Sequence, residues 1–156
     1  MNKTLIIILL ILLPFYLFAL EIPSNIADYK LVVLKRGKDA KNDIYMLHGK
    51  HIKLEDAYVA TYKLKNNIAY IWLSKSYTPI EAKEQIEIMA QKIQNSKVYS
   101  QPKLLKVKDV AIYETFGFNM VNYFYNIKSW NVWIAIKSDK PKIFLESFFK
   151  IFNGKF

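Results

Sequence analysis

Two histidines and two carboxylates form the first candidate site for chemistry. His48 and His51 are the only histidines of the chain, and Glu55 and Asp56 follow shortly after them. Imidazole and carboxylate groups are ligands that Zn²⁺ takes in proteins. The spacing is unfavourable, because Gly49 disfavours a helix and a strand would direct His48 and His51 to opposite faces. We therefore expect solvated loop histidines and no cofactor. A small envelope enzyme or metal-binding protein that uses His48, His51 and Glu55 remains the alternative.

Other catalytic patterns are missing from the sequence. The chain has no cysteine, no G-x-S-x-G turn and no glycine-rich phosphate loop. Glu81, Glu84 and Glu87 recur on one predicted helix, where helix capping and a solvated face account for them. We assign no catalytic residue and expect a non-catalytic protein.

Aromatic side chains are concentrated between residues 113 and 133, where they alternate with polar residues. On strands, this alternation would place one aromatic face under the helices and leave another open. Tyr123, Tyr125 and Trp130, with Lys128 nearby, are the residues of a candidate binding face, either a stacking surface for sugars or bases or an interfacial patch. The alternative is that most of these rings are core residues and cross-strand pairs.

Lysine dominates the charge balance, and the formal net charge is +10. Such an excess favours an anionic partner, for which we consider an envelope component or a membrane surface. Three basic clusters, at 35–41, 103–108 and 137–142, flank predicted strand ends. The preference for Lys over Arg also fits the compositional drift of an AT-rich genome. Nucleic acid is not expected as a partner, because the chain is predicted to be exported.

Export is predicted from residues 1–20, MNKTLIIILLILLPFYLFAL. Lys3 precedes an apolar run, and Ala19 offers a small residue for a signal peptidase. Cleavage after Ala19 would leave one exported domain at 21–156, periplasmic or extracellular. The alternative is an uncleaved anchor at residues 5–22, which approaches the length needed to span a bilayer.

The first half of the domain begins with a short tether at 21–28. Residues 29–35 are predicted as a strand, 36–43 as a loop and 44–48 as a short strand. Residues 57–64 and 68–75 form the clearest hairpin, and the second of these strands is apolar on both faces. Thr78-Pro79-Ile80-Glu81 predicts the start of an amphipathic helix, because it combines a capping box with Pro at the first helical position.

The second half repeats this order of elements. Strands are predicted at 104–107, 110–118, 120–127 and 132–137. Pro141 then opens a helix with a bulky phenylalanine stripe, which Gly154 stops.

These elements predict an α+β fold, with an antiparallel β-sheet on which two amphipathic helices pack. Their order is β-hairpin and helix, followed by β-meander and C-terminal helix. This order resembles the PsbP/DcrB-like modules of bacterial envelopes and photosynthetic lumens. The resemblance implies a small α+β sandwich and, as in many members of that group, a non-catalytic accessory role.

Overall fold

One antiparallel sheet of eight strands organises the part of the chain that the computed structural model describes, residues 19–49, 51–152 and 154–156. Its strand order is β1-β2-β3-β4-β8-β7-β6-β5. The elements in chain order are β1 (Asn25–Ile26), β2 (Tyr29–Arg36), α1 (Gly37–His48), β3 (Asp56–Leu64), β4 (Asn67–Lys75), α2 (Pro79–Gln94), β5 (Lys103–Val107), β6 (Val110–Gly117), β7 (Met120–Ile127), β8 (Trp130–Lys137) and α3 (Pro141–Phe152).

The two halves of the chain join where β4 pairs with β8 in the middle of the sheet. Ile71 lies opposite Ile134 and Trp72 lies opposite Trp133 in this antiparallel ladder. The predicted hairpin of β3 and β4 and the predicted meander from β5 to β8 are both confirmed. The central pair is therefore a contact between two locally formed sheets.

Helix α3 closes one face of the sheet, here called the core face. Phe144 packs edge-on against Tyr29 with ring centroids 4.9 Å apart, and Phe149 stacks on Tyr125 at 5.1 Å. Phe144 and Phe148 are fully buried. Complete burial of one such side chain stabilises the fold by about 2 kcal/mol. The predicted phenylalanine stripe is therefore the main apolar cover of this face.

The segment predicted as a tether belongs to the folded domain. Leu20, Ile22 and Ile26 are buried in the core, and Tyr62 donates a 2.7 Å hydrogen bond to the carbonyl oxygen of Pro23. The tether prediction was wrong, because the alternating apolar residues of this segment pack on the core face of the sheet.

The predicted signal peptide lies at 1–20, and its first eighteen residues lie outside the described residues. Within the described ranges, no helix has the length and apolar character needed to cross a membrane.

Helices α1 and α2 pack on the opposite face, here called the cleft face. The predictions of a loop at 36–43 and a strand at 44–48 were wrong, because Arg36 ends β2 and residues 37–48 form α1. Ala40 and Ile44 are four residues apart and bury one side of this polar helix against β3. Gly49 ends the helix with φ 63°, a left-handed conformation that glycine adopts readily.

Helix α2 begins as the sequence predicts. Thr78 accepts a hydrogen bond from the backbone N–H of Glu81, and the Glu81 carboxylate accepts one from the N–H of Thr78.

The α+β class and the order hairpin, helix, meander, helix are confirmed. The described chain adds α1 as a third helix.

Two buried tyrosines offer a matched test of core hydrogen bonding. Tyr62 donates to Pro23, whereas the Tyr123 hydroxyl has no partner within hydrogen-bonding distance among the described residues. Burial and the nearby Glu114 carboxylate raise the pKa of the Tyr123 phenol. Tyr62→Phe should lower the free energy of unfolding by about 1 kcal/mol, because it leaves the Pro23 carbonyl without its donor. Tyr123→Phe should leave it unchanged or raise it. Urea unfolding of both variants measures the difference, and an equal loss in both would contradict the assignment.

Candidate functional site

A cleft of about 430 Å³ opens between α1 and α2 above the central strands. This volume lies within the range of small-molecule sites. Both helices contribute walls, β4 and β8 contribute the floor, and the turn between β6 and β7 contributes one edge. The lining residues are Ile44, Leu47, His48, Tyr70, Trp72, Ser74, Ile86, Met89, Tyr99, Gly117, Phe118, Met120, Asn122, Asn131, Val132, Trp133 and Ala135.

The cleft exists because the two helices pack over different parts of the sheet. Helix α1 covers β3, where Ile44 packs against Val59. Helix α2 covers β7 and β8, where Ile86 and Ile93 form a cluster with Phe124. The cleft-facing residues of β4 and β8 lie between these two contacts. A gap therefore remains above the junction of the two halves.

Aromatic rings form most of the floor. Trp133 stacks on Phe124 with centroids 5.1 Å apart, and Tyr99 meets Trp133 edge-on at 5.9 Å. On β4, the strand next to β8, the ring centroids of Tyr70 and Trp72 lie 5.8 Å apart. Rings held by several neighbours lose little freedom when a ligand contacts them, so this floor is pre-organised for apolar binding.

Buried amides hold the floor in place. Asn122 accepts a 3.1 Å hydrogen bond from the indole N–H of Trp133 and donates one of 3.0 Å to the carbonyl of Met120. Asn131 donates a 2.6 Å hydrogen bond to Gln85 of α2. The Oδ1 atom of Asn131 is buried without a partner among the described residues. These amides fix the Trp133 ring and the position of α2.

The lining carries no Asp, Glu, Lys or Arg side chain among the described residues. His48 and the phenols of Tyr70 and Tyr99 are its titratable groups, and burial raises the pKa of the Tyr99 phenol. A carboxylate pair for acid–base catalysis is therefore missing from the described lining. The arrangement suits binding of an apolar body better than bond cleavage.

The edge of the cleft exposes apolar side chains to solvent. Leu47 of α1 is 65% exposed and Phe118 of the β6–β7 turn is 69% exposed. Phe118 has φ 54°, a left-handed conformation that is unfavourable for a bulky residue. The same conformation occurs in the other tight hairpin turns, at Ala27, Lys65, Lys108 and Lys128. It therefore follows from the two-residue turn between β6 and β7. The exposed Leu47 and Phe118 side chains are the apolar surface that this edge offers to a ligand.

The aromatic residues predicted as a binding face lie elsewhere. Tyr123 and Tyr125 are 0% and 1% exposed, and Trp130 is also buried, all in the core on the α3 side of the sheet. Lys128 is exposed and donates a hydrogen bond to the backbone oxygen of Phe156. The expectation of an open face at these residues is therefore corrected. Alternation did separate the aromatic residues onto two faces, but α3 covers the face that contains Tyr123 and Tyr125.

The predicted histidine site is divided between two structural contexts. His48 is the last residue of α1 and lines the cleft, whereas His51 follows the helix and packs on Tyr45 at 4.5 Å. Glu55 pairs with Lys75 at 3.0 Å. Within the described ranges, no group of three or more possible ligands is gathered to hold a metal ion.

Sequence reasoning did not identify the cleft. Its floor residues Trp72 and Trp133 were assigned to strands without a functional role. A usable signal was present in Asn122, an amide within the predicted strand at 120–127, whereas Asn131 precedes the predicted strand at 132–137. The structure places both amides in strands and buries them. Buried amides of this kind require internal partners and often mark a built site.

The chain was compared with protein-family models, with curated proteins and with solved structures, and none of them matches it. The resemblance in element order to PsbP/DcrB-like modules therefore stays an expectation. The geometry of the cleft is the basis for a functional proposal.

Gly117 tests the packing of the cleft edge. A Cβ atom at this position would overlap the ring of Tyr99, which packs directly on the glycine backbone. Gly117→Ala should displace Tyr99 from Trp133, lower the free energy of unfolding by about 1–3 kcal/mol and shift tryptophan emission. The double variant Gly117→Ala/Tyr99→Ala relieves the overlap, so adding Gly117→Ala to Tyr99→Ala should cost little further stability. A full additional loss would contradict the contact.

Proposed function

We propose that this protein is an exported, non-catalytic binding protein of the cell envelope, and that its cleft takes a ligand with an apolar body. One observation carries the proposal: an aromatic-floored cleft of about 430 Å³ stays open between two helices, whereas α3 and the segment at 20–26 cover the other face of the sheet. An open apolar cleft with a few fixed polar groups is the usual form of a small-molecule site.

The polar groups of the cleft support binding rather than catalysis. Asn122 uses its amide to hold Trp133 and the β6–β7 turn, so it serves as a support for the floor. Neither a described carboxylate nor a described lysine reaches the lining to activate a nucleophile. The contribution of this site to a ligand is therefore shape, apolar contact and aromatic stacking.

Export rests on the sequence of residues 1–20. The folded domain is compatible with cleavage after Ala19, because the backbone N–H of Leu20 donates a 3.1 Å hydrogen bond to the Tyr58 hydroxyl and Leu20 is buried. Of the anchor considered at 5–22, Leu20 and Ile22 therefore belong to the packed domain.

Filling the cleft tests the binding proposal. Ala135 lies on the floor and is buried, so Ala135→Phe should occupy ligand space and weaken binding of N-phenylnaphthylamine, a neutral apolar fluorophore, by about tenfold or more. Fluorescence titration of wild type and variant measures this loss. Ala111→Phe makes the same change at an exposed position of β6 and should bind as wild type does.

A second variant tests the same site independently, in case Ala135→Phe does not fold. Leu47→Asp places a charge on the exposed edge of the cleft, where the fold tolerates it, and should also weaken binding of the fluorophore. Thermal unfolding verifies that each variant is folded. Wild-type affinity in folded Ala135→Phe would contradict the proposed site.

The intact mass of natively produced protein tests export. A mass that begins at Leu20 or Glu21, found in the soluble envelope fraction, is expected for a cleaved exported protein. A full-length mass in the membrane fraction would instead show an N-terminal anchor. A full-length mass in the cytoplasm would contradict the localisation.

A further inference from the structure

Three lysines form a row across the sheet at one end of the cleft face. Lys30 pairs with Lys63, Lys63 pairs with Ile68, and Ile68 pairs with Lys137 in adjacent ladders. Directly paired residues share a face of a sheet. Tyr29, Tyr62 and Ile136, the neighbours of the lysines along each strand, are buried in the core. The three lysines, here called the lysine row, therefore project from the cleft face.

The lysine row has no ion-pair partner in the part of the chain that the structure describes. The ion pairs among the described residues are Lys35 with Asp43, Lys75 with Glu55 and Lys83 with Glu87. Asp28 and Asp139 are close to the row in sequence, but neither forms an ion pair with it. Like charges directly opposite each other, such as Lys30 and Lys63, destabilise a sheet. A bound anionic group would offset the repulsion between these ammonium groups.

The row lies at the end of the cleft floor. Ala135 lines the cleft, and Lys137 is the next residue of β8 on the same face, about 7 Å further along. On β4, Tyr70 likewise lines the cleft, and Ile68, two residues away on the same face, pairs with Lys137. Met120 also lines the cleft and immediately precedes Val121, which pairs with Ile136 beside Lys137. The flexible stem of Lys137 can therefore bring its ammonium group to the mouth of the cleft.

The apolar floor of the cleft and the positive charge of the lysine row therefore lie at different positions along the direction of β8. From Asn131 to Lys137 the β8 strand spans about 20 Å, starting in an uncharged lining and ending at the lysine row. An extended hydrocarbon chain fits the apolar part, and an anionic head group fits the basic end. A compact apolar ligand would make no use of the row.

We infer that the ligand of the cleft is a single-chain amphiphile with an anionic head group, whose chain lies over Trp72 and Trp133 and whose head group binds at Lys63 and Lys137. This inference rests on the proposed function and gives its ligand a chemical class. A carboxylate and a phosphate head share the required charge, so a fatty acid and a lysophospholipid-like molecule are distinguished by experiment.

Calorimetric titration with dodecanoate, dodecyl phosphate and dodecanol, below their micellar concentrations, tests the inference. The two anions should bind more tightly than the alcohol, and the better anion identifies the head group. Lys63→Gln/Lys137→Gln should weaken binding of the anions by about tenfold and leave dodecanol unchanged. High salt should weaken the anions in the wild type and should reduce the difference between the two proteins.

The matched control is Lys103→Gln/Lys106→Gln, which removes two exposed charges from β5 at the far edge of the sheet. It should bind all three compounds as wild type does. The anionic head group would be contradicted if the anions and the alcohol bound with equal affinity and Lys63→Gln/Lys137→Gln had no effect. In that outcome Ala135→Phe would still block binding, and the proposed function would stand. Binding of all three compounds that Ala135→Phe leaves intact would instead overturn the proposed site.

Discussion

The antiparallel pairing of β4 with β8 is the constraint on which the rest of the structure depends. Each strand first forms in its own local unit, β4 in a hairpin with β3 and β8 in a meander with β7. Their pairing closes a long loop, so its entropic cost must be offset by burial on both faces. Trp72 and Trp133 meet on one face and Ile71 and Ile134 on the other. The same ladder thus makes the core continuous and supplies the cleft floor.

The two faces of this ladder are covered in different ways. The phenylalanine-rich helix α3, together with Leu20, Ile22 and Ile26, covers the core face. The cavities found there among the described residues are about 10 Å³ or smaller. On the cleft face, α1 packs mainly over β3 and α2 packs over β7 and β8. Helix α1 packs on β2 and β3, its neighbours in sequence, whereas α2 packs on β7 and β8 of the other half of the chain. The helices are therefore held over different strands and leave a gap above the junction. The open cleft is a direct consequence of this topology.

Local sequence signals accounted for the elements that carry strong patterns. The Thr78 capping box, the alternation in β7 and the phenylalanine stripe of α3 all act within a few residues, so their outcome can be read without tertiary information. Helix α1 lacks such a pattern, because only Ala40 and Ile44 are buried while its apolar residues Met46 and Leu47 are exposed. Contacts with β3, together with the ion pair of Lys35 with Asp43, stabilise a helix that its own sequence specifies weakly.

By itself, the sequence determined the α+β class, the basic charge, the absence of cysteine and the separation of aromatic residues onto two faces. Those properties follow from composition and from the period of two along a strand. Only the tertiary structure decided which aromatic face is covered, because that depends on where α3 packs after the sheet has formed. It also placed Lys30, Lys63 and Lys137 in one row, since strand register joins residues that are far apart in sequence. The candidate site is assembled from such long-range pairings, and no local pattern encodes them.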